Sequence, residues 1–538
     1  MGRDRTPPAL PRRRFLQLGA ATLAACGKAD PGSTDTGPDP AGTCEPGAPT
    51  DAPDPSEART ASLPADPFTL GVASGDPLHD RVVLWTRLVL EPTDVAGMPG
   101  DDIDVVWELY ADASGTTLLQ TGVATAQAAH GHSVHVDVDG LESATDHFYR
   151  FRVEGPDGAW ESPLGRTRTL PCDDAALDRF RVGFATCQNW LVGYYPGYRH
   201  MADQQLDLVI HLGDYIYEGG DRGPVRDHGA SEPSTLDEYR DRYGLYRSDP
   251  DLQAAHASAP WILTQDDHEV DNNYAGTEWR NGGAAEARMT AAMQAWWEHC
   301  PTRSPRPTGP AVEVRRSLHV GDLLQVILLE SRQERDPQPC DDRIGSRCDE
   351  TDDDRTMLGA DQEAWLEQAL TDGAAAWIAL ASPVVMLPMD FGGSFLNPDQ
   401  WDGYPQARQR LLDAVSTHGS GDLVVFSGDI HSTAWGWIPV DPLDLESGPT
   451  AAEIVVTPMS SGVTDETFLA AAPLLARQPH IDYWDLAQRG WVEADFGRTQ
   501  LTVRCWQARD NTDPASAIDP GPVVVVTAGD PVPQRTDT

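Results

Sequence analysis

After Pro171, six apolar runs recur with helix-like stretches between them, and this alternation restricts the fold more than any other feature of the chain. The runs are FRVGFATC (180–187), LDLVIHLGD (206–214), WILTQDDHE (261–269), LLQVILLES (323–331), AAWIALASPVVM (375–386) and DLVVFSGDIH (422–431). Between them lie AAEARMTAAMQAWWEH (284–299) and ADQEAWLEQALTD (360–372). Strands buried on both faces read as near-continuous apolar runs. The pattern therefore predicts an α/β layer structure with both faces of the sheet covered. Strands near 454–457, 492–505 and 523–526 complete it.

Ahead of Pro171 the pattern is different. Short alternating runs, RVVLWTRL (81–88), IDVVWELY (103–110), HSVHVDVDGL (132–141) and FYRFRVEG (148–155), are separated by Gly, Asp, Pro and Thr. That spacing predicts an all-β, immunoglobulin- or fibronectin-like sandwich over 66–171. His130, His132 and His135 sit in this region at turn and strand positions that favour surface histidines over a metal site. From 27 to 65 the chain is Pro, Gly, Ala, Asp, Thr and Ser, with too few apolar side chains to offset chain entropy, and reads as a disordered acidic tether. With 538 residues and 40% hydrophobic content, the rest of the chain has room for these two domains and a C-terminal extension over 509–538.

The N-terminus carries an address. Arg12-Arg13-Arg14-Phe15-Leu16 leads into a short apolar stretch ending Leu23-Ala24-Ala25-Cys26. Residues 1–26 thus have the charged and apolar regions of an export signal, too short to span a bilayer permanently. Paired arginines before Phe-Leu resemble a twin-arginine signal, which implies the twin-arginine export machinery as a partner. Leu-Ala-Ala-Cys resembles a lipobox, which implies lipidation at Cys26, a membrane anchor and an extracytoplasmic address in the cell envelope. Seven cysteines then remain, an odd number, and Cys340 and Cys348 in one polar loop are placed to bridge. A net charge of −44, from 84 acids against 40 bases, argues against a surface that embraces nucleic-acid backbone.

In open α/β sheets, ligands collect at the carboxyl ends of strands. Four predicted strand ends carry Cys187, then Asp214 with Tyr217, then Asp266-Asp267-His268-Glu269, then Asp429 with His431. Thiolate, carboxylate, phenol and imidazole groups converging in one place repel one another or stay unsatisfied unless a cation holds them. On this reading Asp214 bridges two metal ions and Tyr217 reaches one of them as a phenolate. Sulfur, phenolate and nitrogen donors suit trivalent iron, and oxygen-only surroundings suit calcium beside it. Two neighbouring cations can clamp a phosphate ester for in-line attack. Asp266 is a less certain ligand than Asp267, because adjacent residues on an extended segment point opposite ways. Glu269 reads as a partner of nearby backbone, and Arg240 and Arg242 as phosphate contacts or surface ion pairs.

The ordered set Gly213-Asp214-x-x-Tyr217, Asp266-Asp267-His268-Glu269 and Gly428-Asp429-x-His431 resembles the calcineurin-like metallophosphoesterases. With FTLGVASGDP (68–77), ATCQNW (185–190), HLGDYIYE (211–218), MLGADQEAWL (357–366) and WDGYPQARQRLL (401–412), the chain resembles the alkaline phosphatase D (PhoD-like) family over about 67–500. The resemblance implies a four-layer αββα metallophosphoesterase domain over 172–508 and hydrolysis of phosphate mono- and diesters at alkaline pH. It also implies a metal-bound hydroxide as the attacking group, with Fe3+ and Ca2+ as cofactors. Cys187, Asp214, Tyr217 and His431 fall on the iron side; Asp214, Asp267 and either Asp429 or Asn273 fall on the calcium side. His268 is placed at the leaving-group oxygen.

Two positions depart from the family pattern: Glu330 stands in place of an aspartate and Pro383 where glutamine is common. The alternative from another class is a non-catalytic, calcium-stabilised surface-binding lipoprotein, which has no evident need for His268.

Overall fold

The protein is described by a computed structural model covering residues 44–277, 285–345, 355–389 and 396–536. The signal-like segment with Cys26, the first part of the tether and Cys348 lie outside the described residues. All six apolar runs form strands: Arg179–Ala185, Leu208–His211, Pro260–Leu263, Leu324–Leu328, Trp377–Ser382 and Asp422–Ser427. The first three lie side by side and parallel in a ten-stranded sheet. The last three are parallel in a seven-stranded sheet, next to Asp444–Val455.

The two sheets pack face to face. Phe184 stacks on Phe426 with ring centroids 3.9 Å apart, and Val182, Leu208, Ala379, Ala381, Val424 and Ile454 share that core. Residues of opposite parity on the second sheet, Ile378, Leu380 and Val425, point the other way. They pack with Leu366, Leu370, Leu411 and Val415 of the helices Gly359–Thr371 and Pro405–His418. Both faces of these strands are thus apolar because both are covered. On the outside of the first sheet lie Leu236–Arg247, Pro250–His256 and Ala285–His299, giving helix, sheet, sheet and helix in four layers.

The N-terminal sandwich forms, with one change of partner. Ile103–Tyr110, Leu118–Ala126 and Asp146–Gly155 belong to a five-stranded sheet of their own. Val82–Arg87 and Ser133–Val138 instead join the ten-stranded sheet through Val72–Gly75, which pairs in parallel with Pro260–Leu263. The opposing layer of the sandwich is therefore a continuation of the large sheet. Phe68, Leu84, Val105, Trp107 and Phe151 fill the space between.

Three expectations change. Residues 44–65 are no loose tether: Cys44 is disulfide-bonded to Cys172, Thr50 Oγ1 donates to Asp139 (2.6 Å) and Arg59 pairs with Asp104. Polar and covalent ties hold this segment down, together with Ala61 and Leu63, which pack against the sandwich core. The extension after 509 forms Ile518–Thr527 and Asp530–Thr536, the outermost strands of the ten-stranded sheet. Of the sandwich histidines, His132 is buried, and His135 is half-buried rather than exposed. It stacks on Trp297 at 4.3 Å, its Nε2 meets the carbonyls of Trp297 and Cys300, and burial lowers its pKa to about 4. Cys340 is disulfide-bonded.

Candidate metal centre

The site is built from turns that follow strand ends. Cys187, Asp214, Asn273, Asp429 and His431 all have left-handed backbone, with φ between 53° and 66°. For residues with a Cβ this conformation costs on the order of 1–3 kcal/mol each and survives only where the surroundings over-determine it. The glycines beside the aspartates permit close approach. A Cβ on Gly213 (φ 104°) would sit 2.6 Å from Asp266 N, and one on Gly428 would sit 2.5 Å from Thr186 Oγ1. Glu269 clasps the turns together, accepting from Asp214 N (3.2 Å), Tyr215 N (2.6 Å) and Asp266 N (2.9 Å). This is the backbone role read from the sequence.

The turns bring the candidate ligands together in three overlapping trios, in each of which one donor atom per residue lies within 4.8 Å of the others. They are Cys187–Asp214–His431, Asp214–Asp267–His268 and Asp266–Asp267–Asp429. Asp214 is shared by the first two and Asp267 by the last two. Tyr217 joins the first trio: its hydroxyl donates to Asp214 Oδ2 (2.6 Å) and lies 2.9 Å from His431 Nε2. Asp266 stands in the same trio as its neighbour Asp267, against the expectation of opposite directions. The strand ends at Leu263 and the chain is turning by Asp267, so strand alternation no longer applies. Asn273 donates its backbone N–H to Asp267 (2.7 Å) and its side-chain amide to Asp342 (2.7 Å).

Burial decides the electrostatics. Burial, reinforced by Asp214, pushes the Cys187 thiol and the Tyr217 phenol well above their ordinary pKa values. Burial and the neighbouring Asp399 raise Asp429 to about 7, and burial beside Asp214 raises Glu269 to about 8. At Asp214 burial pulls upward too, but His268, His431 and Tyr217 outweigh it and hold the carboxyl low. Asp214 Oδ1, Asp266 Oδ2 and Asp267 Oδ1 are buried without a hydrogen-bond partner. Carboxylate oxygens in that state cost several kcal/mol unless a cation completes them. The donor set and its orphaned oxygens therefore fit a pair of metal ions.

Several residues of this framework went unread in the sequence. Arg332 is fully buried and donates to Asp266 Oδ1 (2.6 Å) and to both oxygens of Asp399 (2.7 and 2.8 Å). Gln400 donates to Asp429 Oδ2 (2.5 Å), Ser461 Oγ to the Tyr217 hydroxyl (2.7 Å), and Glu218 Oε2 lies 2.7 Å from His268 Nδ1. Ser461 follows the Asp444–Val455 strand, so the strand-end rule applied once more would have found it. The departures from the family pattern fall outside the trios. Glu330 caps the backbone N–H of Arg332 and Gln333, and the Pro383 carbonyl accepts from Gly428 N. Arg240 and Arg242 are buried structural cations: Arg240 pairs with Glu298, and Arg242 donates to the carbonyls of Tyr217 and Glu218.

The profile of the PhoD-like phosphatase family matches residues 182–505, and that of its N-terminal domain matches residues 54–171. The chain belongs to the PhoD-like phosphatase family. It is 40% identical over 472 residues to alkaline phosphatase D of Bacillus subtilis (strain 168), covering 84% of this chain and 79% of that one. A solved structure of PhoD superposes with a TM-score of 0.83 at 36% identity, covering 89% of this chain and 94% of the other. A purple acid phosphatase from yellow lupin (Lupinus luteus) seeds shares the fold, with a TM-score of 0.52 at 11% identity over 85% of this chain and 74% of that one. As a PhoD-like phosphatase the chain is a phosphoester hydrolase, and the non-catalytic alternative gives way.

In this PhoD-like phosphatase the raised carboxyls set a pH dependence. Asp429, Glu330 and Glu453 stand at about 7 and Glu269 at about 8, all raised mainly by burial. A carboxyl with a raised folded pKa keeps its proton longer in the native state, so its stabilisation is full below the unfolded value. It is lost as pH rises through the folded value. Above about pH 6.5, where buried histidines such as His135 are neutral folded and unfolded alike, metal-free protein should lose stability up to about pH 8, by at most roughly 1.4 kcal/mol per pH unit for each titrating carboxyl. Added calcium should flatten the part owed to Asp429. Thermal midpoints measured across that range with chelator and with calcium check both; a metal-free midpoint that climbs with pH would contradict the assignment.

Proposed function

We propose that this phosphatase hydrolyses phosphate monoesters and diesters at alkaline pH with a ferric ion and a calcium ion at the three trios. The observation that carries this reading is the division of donors: thiol, phenol and imidazole beside Asp214 on one side, the carboxylates of Asp266, Asp267 and Asp429 on the other, with His268 next to Asp214 and Asp267. A thiol and a phenol held protonated by burial give up their protons only to a strongly Lewis-acidic cation, whereas oxygen-only ligands suit calcium. When bound, the cations supply Lewis acidity toward a phosphoryl oxygen and lower the pKa of a coordinated water.

The chain's own residues supply the rest. Cys187, Tyr217 and His431 would hold the iron, Asp267 and Asp429 the calcium, and Asp214 both, with Asp266 and Asn273 beside the calcium ligands. The adjoining cleft, about 210 Å³, is lined by Asp267, His268, Asp429 and His431 on its polar side and by Val463 and Phe468 on its apolar side. An ester seated there meets His268, which gives a proton to the departing oxygen as the P–O bond breaks.

Protein purified without added metal should carry about one iron per chain along with calcium. Cys187→Ala should lose the iron, its visible ligand-to-metal absorption, and more than the roughly 10–100-fold in turnover that an outer-shell change costs. Iron retained at full occupancy in that variant, with normal hydrolysis of p-nitrophenyl mono- and diesters, would remove Cys187 from the ligand set.

The proposal extends to location: export by the twin-arginine route and a lipid anchor at Cys26. The arginine cluster and the Leu-Ala-Ala-Cys sequence support it. Among the described residues no helix is long and apolar enough to cross a membrane. Fractionation of cells should find the full chain with envelope membranes and a Cys26→Ala chain released in soluble form. Equal membrane association of both would rule out the anchor.

A further inference from the structure

The mechanism above uses His268 but leaves unexplained the buried carboxylate behind it. Glu218 directly follows Tyr217, is 5% exposed, and has no part in the three trios. Its Oε2 lies 2.7 Å from His268 Nδ1, and its Oε1 accepts the backbone N–H of Asn272 at 3.0 Å. Arg242 holds the same turn by donating to the Glu218 carbonyl at 2.8 Å. The imidazole is fixed from a second direction as well, stacked on Tyr217 with centroids 4.1 Å apart. With Nδ1 engaged and one face covered, Nε2 is the ring nitrogen left for the cleft that His268 lines.

We infer that Glu218 is a positioning residue for phosphoester cleavage: by accepting the Nδ1–H of the doubly protonated His268 ring it aims Nε2–H at the leaving oxygen and sets the tautomer left after transfer. This rests on the reading of His268 as the group that protonates that oxygen. In the step, the P–O bond breaks, its electron pair stays on the departing oxygen, and the proton on Nε2 moves to it. Glu218 keeps its acceptor role throughout and exchanges no proton with substrate. A second carboxylate on the far nitrogen of a functional imidazole is a common way of locking ring orientation, and its loss costs roughly 10–100-fold.

A merely structural glutamate would lower turnover of every ester alike. A glutamate acting through the proton donor matters most when the leaving group is a poor one. The test uses the metal-loaded full chain and methyl aryl phosphodiesters running from p-nitrophenol to p-methoxyphenol leaving groups. Glu218→Met, which keeps the volume without the acceptor, should lose roughly 10–100-fold in kcat on the p-methoxyphenyl ester and less than about threefold on the p-nitrophenyl ester. Glu218→Gln keeps a neutral acceptor and should show the same selectivity, reduced to several-fold; it decides the matter if the methionine variant does not fold. Uniform loss across the series in the glutamine variant, or no loss, overturns the inference. His268→Ala separates the two claims. If it is itself unselective, the proton-donor role fails, and Glu218 with it; if it is selective while the Glu218 variants are not, only the positioning role falls.

Discussion

The architecture is organised around the repulsion among carboxylates that share a small buried volume. Asp214, Asp266, Asp267, Asp399 and Asp429 are packed together under one roof, and all but Asp429 are almost wholly buried. Among the described residues, Arg332 is the cation that reaches Asp266, Asp267, Asp399 and Asp429 at once, between 2.6 and 3.9 Å. Its guanidinium satisfies one oxygen of Asp266 and both of Asp399, and leaves the inward oxygens of Asp214, Asp266 and Asp267 open. One arginine thus compensates part of the carboxylate cluster and leaves three buried oxygens without a partner. Replacing it by an apolar residue would leave several charges buried without compensation.

The two sheets explain how such a cluster can be assembled. Each delivers its parallel strands with their carboxyl ends toward the same seam, and the stacked pair Phe184 and Phe426 lies on the strands that lead into the turns of Cys187 and Asp429. Sheet packing therefore sets the distance between Cys187, Asp214 and Asp267, which follow strands of the first sheet, and Asp429 and His431, which follow a strand of the second. Left-handed turns at Cys187, Asp214, Asp429 and His431 then re-aim side chains that a regular strand would have directed into the sheet faces. The N-terminal sandwich reinforces this frame by sharing the large sheet through Val72–Gly75 and Pro260–Leu263.

Much of this was legible in the amino-acid sequence, for identifiable reasons. Strands buried on both faces announce themselves as apolar runs, and a ligand-rich ending on such a run stands out because nothing else in a core selects it. That logic reached Cys187, Asp214, Tyr217, Asp267, His268, Asp429 and His431. It left Asp266 open, because strand alternation does not hold past Leu263, where the strand stops. It also missed Arg332, Asp399, Gln400 and Glu218, whose importance comes from what they touch across the fold. An arginine in LESR or an aspartate in PDQW looks like any polar loop residue until the second sheet places it. The tether after Cys44 misled for another reason: its composition could not reveal that a disulfide and ion pairs would hold it.

The most direct measurement is anomalous diffraction at the iron edge from crystals of protein purified without added metal. The account predicts a strong iron peak within bonding distance of Cys187 Sγ, the Tyr217 oxygen, an Asp214 oxygen and His431. It also predicts a second, lighter cation on the other oxygen of Asp214 beside Asp267 and Asp429. No iron signal between the two sheets, or an iron bound away from Cys187 and Tyr217, would contradict it.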